Sequence, residues 1–189
     1  MGTRLSELSR VVSHALRHQP WLYELEVDDE GWTDINALVA ALRHDSPLWL
    51  NLTEQDVRDM VTASPKQRHE VSQGRIRALY GHSADVAIRR QRAHPPRFLF
   101  HGTASDAAAN IAREGLLPMG RQFVHLSADC QTAVAVGLRK STDPVVLLVN
   151  SQEAWNAGIA FYRGNLHVWL ADRVPAAYIQ FGRRSPDAA

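Results

Sequence analysis

The chain has 189 residues, 45% of them hydrophobic and 22% charged, with 21 basic against 20 acidic side chains and a formal net charge of +1. That describes one globular domain or two small ones and excludes a disordered or fibrous chain. No apolar run approaches the roughly 20 residues of a membrane helix, and the first residues lack an apolar signal core. Cys130 is the single cysteine, so no intrachain disulfide or cysteine-based zinc cluster is possible. A cytoplasmic protein is expected, with no membrane partner. Of the 21 basic residues only Lys66 and Lys140 are lysine. The remainder are arginine, whose planar fork grips phosphate at two points where lysine offers a point charge.

In chain order, Leu5, Leu8, Val11, Val12, Ala15 and Leu16 recur at helical spacing. Pro20 stops that helix just after Arg17 and His18. Ile35, Leu38, Val39 and Leu42 predict a second helix capped by Thr33 or Asp34. A third begins at Thr53, where Asp56 completes a capping box, and ends before Pro65. Two short strands follow, His69–Ser72 and Arg75–Tyr80, separated by Gln73-Gly74. Three helices and a hairpin read as a winged helix over 1–84. Residues 85–96, with Arg89, Arg90, Arg92 and Pro95-Pro96, read as a linker.

The texture then changes. Strands are predicted at Arg97–His101, Phe123–Ser127, Pro144–Val149, Ile159–Tyr162, His167–Leu170 and Tyr178–Phe181. Helices are predicted at Ser105–Glu114, ended by Gly115, and at Gln131–Leu138. This second region, 97–182, is strand-rich, and the whole chain is α+β. Neither an alternating βαβ pattern nor a G-x-G-x-x-G stands here, which argues against a doubly wound dinucleotide domain. The tail Arg183–Ala189 is expected to be loose.

Several clusters carry chemistry. Arg17 and His18 close the first helix, as cations complementing its dipole or as ligands for an anion. His14 and His18 are four apart, but no acidic partner or H-E-x-x-H pattern supports a metal site. Lys66-Gln67-Arg68 is a solvated basic turn or a phosphate contact. Gly81-His82-Ser83 and His101-Gly102-Thr103 combine a glycine, which lets a ligand approach the backbone, with groups that bond a ribose or an amide. His125 and Ser127 alternate with Val124 and Leu126, so the two polar groups share one side of a strand. Arg121 lies just before it.

Together these residues resemble the NAD-dependent RNA 2′-phosphotransferase family. The matching motifs are Ser13-x-x-Leu16-Arg17-His18-x-Pro20, Gly31-Trp32, Lys66-x-Arg68, Gly81-His82-Ser83 and His101-Gly102-Thr103. They continue with Gly115-Leu116, Met119-x-Arg121-x-x-Val124-His125-Leu126-Ser127, Phe161-Tyr162-Arg163 and Val168-Trp169-Leu170. The resemblance implies an N-terminal winged-helix RNA lobe and a C-terminal ADP-ribosyltransferase-like lobe that takes NAD⁺ as co-substrate. It places an essential quartet on Arg17, His18, Arg68 and Arg121. It draws NAD⁺ contacts from His101, Gly102, Thr103, His125 and Ser127, with Gly81, His82 and Ser83 nearby. No metal is implied, and a monomer is expected. Two positions depart from the family pattern. His69 stands where an aromatic is common, and Leu79-Tyr80 replace two polar side chains.

The implied reaction has two steps. The 2′-phosphate of an RNA splice junction attacks the anomeric carbon of NAD⁺ and expels nicotinamide. The ADP-ribose 2″-hydroxyl then attacks the new phosphodiester, freeing the RNA 2′-hydroxyl and ADP-ribose 1″,2″-cyclic phosphate. Arg17, Arg68 and Arg121 would hold the phosphate, and His18 would contact it or transfer a proton. The alternatives are an ADP-ribosyltransferase acting on terminal phosphates of RNA or DNA, and a winged-helix nucleic-acid-binding module with an inactive NAD pocket.

Overall fold

The computed structural model describes residues 2–83 and 85–181. The predicted tail, Arg183–Ala189, lies outside them. Contacts divide the chain into two compact units, Met1–Arg90 and Gln91–Ala189. The expected linker is itself divided. Val86 and Ile88 are buried in unit 1, whereas Ala93 N–H donates to the Phe161 carbonyl within unit 2. No helix of the described residues is long and apolar enough to cross a membrane.

Unit 1 contains helices α1 (Gly2–Arg17), α2 (Ile35–Asp45) and α3 (Glu54–Ala63) and strands β1 (Thr33–Asp34), β2 (His69–Ser72) and β3 (Arg75–Ala78). Leu8, Val12, Ala15 and Leu16 bury one stripe of α1 against Leu38, Leu42, Met60 and Ile76. Asp34, of the two candidate caps, accepts from Asn36 N and Ala37 N to start α2. Thr33 instead enters β1, a two-residue strand that the sequence did not suggest. The Thr53/Asp56 capping box starts α3, with both reciprocal bonds formed. Such caps contribute about 1 kcal/mol each. Burial of the α1 and α2 stripes contributes more, since each large apolar side chain adds about 1.5–3 kcal/mol. The sheet order is β1-β3-β2, all antiparallel. Gln73 and Gly74 turn β2 into β3 with positive φ of 48° and 72°.

Unit 2 is a six-stranded antiparallel sheet in the order β7-β8-β5-β4-β6-β9. Its strands are β4 (Leu99–Thr103), β5 (Val124–Ser127), β6 (Val145–Val149), β7 (Phe161–Arg163), β8 (Val168–Ala171) and β9 (Ile179–Phe181). The helices are α4 (Ser105–Glu114), α5 (Cys130–Gly137) and α6 (Ser151–Asn156). The last was not predicted, because its six residues carry no apolar period long enough to register. Most other strand ends shift by one or two residues, the ordinary scatter of element boundaries.

Two features of this sheet position the site. β6 pairs with β4 over five residues, Leu99↔Val149 to Thr103↔Val145. β5 pairs with β4 at one position only, Phe100↔Ser127, so the middle of the sheet opens beyond it. On the other side, α5 packs onto β4 at Gly102, where a Cβ would lie 1.8 Å from the Ala133 carbonyl oxygen. Backbone, not a flexible side chain, fills that space.

Gly102→Ala is therefore expected to destabilise unit 2 through overpacking by about 1–3 kcal/mol. Chemical denaturation without any ligand is the check. An unchanged midpoint would mean that α5 gives way freely.

Candidate active site

In unit 1 the end of α1 meets the β2–β3 hairpin. The main-chain carbonyl of Arg68 accepts from Leu79 N at 2.9 Å and from Arg17 Nη2 at 3.2 Å. Arg17 also lies over the Tyr80 ring, 5.3 Å from its centroid. Its carbonyl accepts from Ser83 N at 3.0 Å, and the Ser83 hydroxyl meets His18 Nδ1 at 2.7 Å. Gly81 has a φ of +87°, the left-handed region open to glycine. A Cβ on it would lie 3.5 Å from Arg17 Nη1.

The structure thus brings Arg17, His18 and Arg68 together, and Gly81 and Ser83 hold the first two. His82 is buried, 3% exposed, with its Nε2 beside Gly31. His14 Nδ1 bonds the Tyr23 hydroxyl at 3.0 Å.

Both departures from the family pattern fall at this junction. Leu79 is buried and contributes the backbone bond above. Tyr80 supplies the π face against Arg17, a partner the motif reading did not anticipate. His69 is 2% exposed and bonds the Ser13 hydroxyl through Nε2 at 3.1 Å. Burial, reinforced by the charges of Arg17 and Arg68, pushes its pKa down to about 3. The ring is neutral, so it adds no positive charge to those of the two arginines.

Unit 2 carries a cleft of about 670 Å³ where β5 leaves β4. His101, Thr103, Arg121 and His125 line it, with Lys140 at its edge and Ile111 among its apolar lining. His101 Nδ1 lies 2.9 Å from the His125 carbonyl, and His125 Nδ1 lies 3.0 Å from the Phe123 carbonyl. A carbonyl oxygen only accepts, so both Nδ1 atoms carry the proton. Burial holds the His101 pKa below its ordinary value, and the Lys140 and Arg121 charges act in the same direction. Its neutral ring therefore offers Nε2 as an acceptor.

Gly102 and Ser127 lie elsewhere. Gly102 faces α5. Ser127, 6% exposed, is paired with Phe100 and does not line the cleft. Lys140 is the cleft residue that motif reading missed. Its signal was available, since it is one of only two lysines in the chain.

Residues 3–173 match the family model described as RNA 2′-phosphotransferase, Tpt1 / KptA family. The chain is similar to a probable RNA 2′-phosphotransferase of Acetivibrio thermocellus, with 51% identity covering 93% of this chain and 96% of that protein. It is 45% identical to a protein of the same description from Bacillus thuringiensis subsp. konkukian, covering 94% and 96% of the two chains. A third, from Hahella chejuensis, is 39% identical over 98% of this chain and 99% of its own.

The neutral His69 makes unit 1 acid-sensitive. Its folded pKa is about 3 against an ordinary 6.5. Between those values the unfolded chain binds a proton that the folded chain does not. The contribution to stability is complete above pH 6.5 and is lost as pH falls toward 3, by at most about 1.4 kcal/mol per pH unit. Denaturation as a function of pH should show this acid limb. His69→Phe, which installs the aromatic usual at this position, should make it shallower. An equally steep limb in that variant would place the acid sensitivity elsewhere.

Proposed function

We propose a mechanism for this chain from one premise: it belongs to the RNA 2′-phosphotransferase, Tpt1 / KptA family, and its activity is RNA 2′-phosphotransfer. On our reading unit 1 is a winged-helix RNA lobe and unit 2 an ADP-ribosyltransferase-like lobe that takes NAD⁺ as co-substrate. The observation that carries the reading is the convergence of three residues: Arg17 donates to the main-chain carbonyl of Arg68, 51 residues away, and His18 lines one groove with Arg68.

A phosphate monoester is largely dianionic at neutral pH, its second pKa being about 6. As a nucleophile it needs positioning and charge compensation more than a base. Arg17 and Arg68 supply both, through charge-assisted hydrogen bonds that are strong and often bidentate. The neutral state of His69 supports this, because it leaves the arginine charges for the ligand without a third cation to desolvate.

The unit 2 cleft fits NAD⁺ chemically. Its volume lies within the roughly 300–1,000 Å³ of small-molecule sites. Arg121 and Lys140 suit the pyrophosphate, and Ile111 and Phe123 offer apolar surface to a flat ring. His101, kept neutral, can accept from a ribose hydroxyl or an amide without repelling a cationic nicotinamide. NAD⁺ supplies an anomeric carbon with nicotinamide as leaving group. On this reading Arg17 and Arg68 of unit 1 hold phosphate oxygens while negative charge develops in the second, transesterification step, and the family resemblance counts Arg121 of unit 2 in the same essential set. Preorganised donors of this kind usually contribute most to catalysis. His18, tethered by Ser83 and exposed, is the group placed to exchange a proton with the transferring phosphate.

A single-turnover assay on an RNA oligonucleotide with one internal 2′-phosphate tests the reading. We expect NAD⁺-dependent loss of that phosphate and release of ADP-ribose 1″,2″-cyclic phosphate. Arg68→Ala and Arg121→Ala should each slow it about 100-fold or more, the cost of losing one donor to a developing anion. Wild-type rates in both variants would remove these residues from the mechanism. Accumulation of ADP-ribosylated nucleic acid without cyclic phosphate would instead identify a terminal-phosphate ADP-ribosyltransferase. NAD⁺ alone should raise the melting temperature in proportion to its occupancy. No shift at saturation would overturn the assignment of the cleft.

A further inference from the structure

Unit 1 has a groove that extends beyond the residues given to the reaction. It measures about 730 Å³, runs between α1 and α3 and includes His18 and Arg68 in its lining. We propose that this groove is an RNA track: it binds the sugar–phosphate backbone of nucleotides flanking the 2′-phosphate, with Arg10 as its principal phosphate contact. The inference rests on the proposed function for the placing of the reacting phosphate at Arg68.

Ser6 and Arg10 are four residues apart, as are Ser9 and Ser13, while Ser6 and Ser9 are three apart, as are Arg10 and Ser13, so the four form one stripe along α1. Ser64 adds a further hydroxyl just beyond α3. Hydroxyls and arginines are the side chains that contact phosphate and sugar oxygens without reading bases. Leu5, Met60 and Ala63 give the groove an apolar floor for ribose carbons. Among the described residues no carboxylate lines it.

Charge distinguishes this face from the hairpin. There Arg75 pairs with Asp28, and Arg77 with Glu70 and Glu30. Among the described residues no ion pair involves Arg10 or Arg68. The arginines of the hairpin are matched by acids, and those of the groove are available to an anion.

Length is consistent with a strand. From Ser6 to its end at Arg17 α1 rises about 16.5 Å. An extended single strand advances roughly twice the duplex axial step of about 3.4 Å per nucleotide, so this length still spans about two phosphates. The groove therefore has room for more than the reacting nucleotide.

The test is salt-dependent binding of a labelled single-stranded RNA oligonucleotide to the full chain without NAD⁺, with a dinucleotide as the short comparison. Arg10→Glu should weaken the long oligonucleotide several-fold and lower the salt slope by about one. Arg10→Lys should restore most of both. Arg58→Ala, on α3 but outside the groove, serves as the charge-loss control and should bind like the wild type. Wild-type affinity and slope in Arg10→Glu would overturn the track. So would equal displacement of the RNA by polyglutamate, which would make the groove a site for acidic peptide. If the wild type fails to remove a 2′-phosphate yet binds with an Arg10-dependent slope, the reaction falls and the track stands. If it removes the phosphate while Arg10→Glu binds normally, the track alone falls.

Discussion

Unit 1 is organised around the main-chain carbonyl of Arg68. It accepts from Leu79 N, which closes the β2–β3 hairpin, and from the Arg17 guanidinium, which comes off the end of α1. One oxygen atom thus ties helix, hairpin and two of the candidate catalytic arginines together. The arrangement shows how the arginine proposed to bind phosphate is placed at a hairpin's edge. Its backbone is fixed by the sheet, and its side chain is left to reach for a ligand. Arg17 is fixed in a similar way, with its carbonyl held by Ser83 and its side chain against Tyr80.

Histidine protonation follows from that arrangement. Near Arg17 and Arg68 an additional charge would be unfavourable, and His69 is buried where it stays uncharged at any pH above about 3. Its role is a hydrogen bond to Ser13 and volume in the core. An aromatic would meet the second requirement and not the first. His101 in unit 2 is uncharged for a related reason, being buried with Lys140 and Arg121 nearby. His18 differs: it is exposed and bonded to a hydroxyl.

Much of this was legible in the sequence, for reasons that can be named. The stripes of α1 and α2, the Thr53/Asp56 cap and the alternation of β5 are local patterns, and local patterns survive into structure. What was not legible depends on residues distant in sequence. Gly81-His82-Ser83 reads as a strand-end triplet that could serve any ligand. Its job of steadying Arg17 and His18 requires a contact across about 65 positions. Gly102 sits in a motif with His101 and Thr103, and sequence offers no way to divide the three. The pleat does so: His101 and Thr103 face the cleft, and Gly102 meets the α5 backbone at a distance only hydrogen can accommodate. A glycine within a ligand-binding motif can thus serve helix packing. The two-residue β1 and the six-residue α6 escaped because neither is long enough to show a period.

The abundance of arginine illustrates the same limit from the side of function. In composition every arginine counts alike, and a net charge of +1 conceals where the charge lies. The fold sorts them. Arg75 and Arg77 direct their charge at Asp28, Glu30 and Glu70 while stacking on Trp32. Such half-exposed pairs contribute little to stability, about 0–1 kcal/mol. Their larger effect is to make that face nearly neutral and a poor competitor for a polyanion. Among the described residues no ion pair involves Arg10 or Arg68. The placement of acids therefore matters as much as the placement of arginines in setting the hairpin face apart from the groove proposed for RNA.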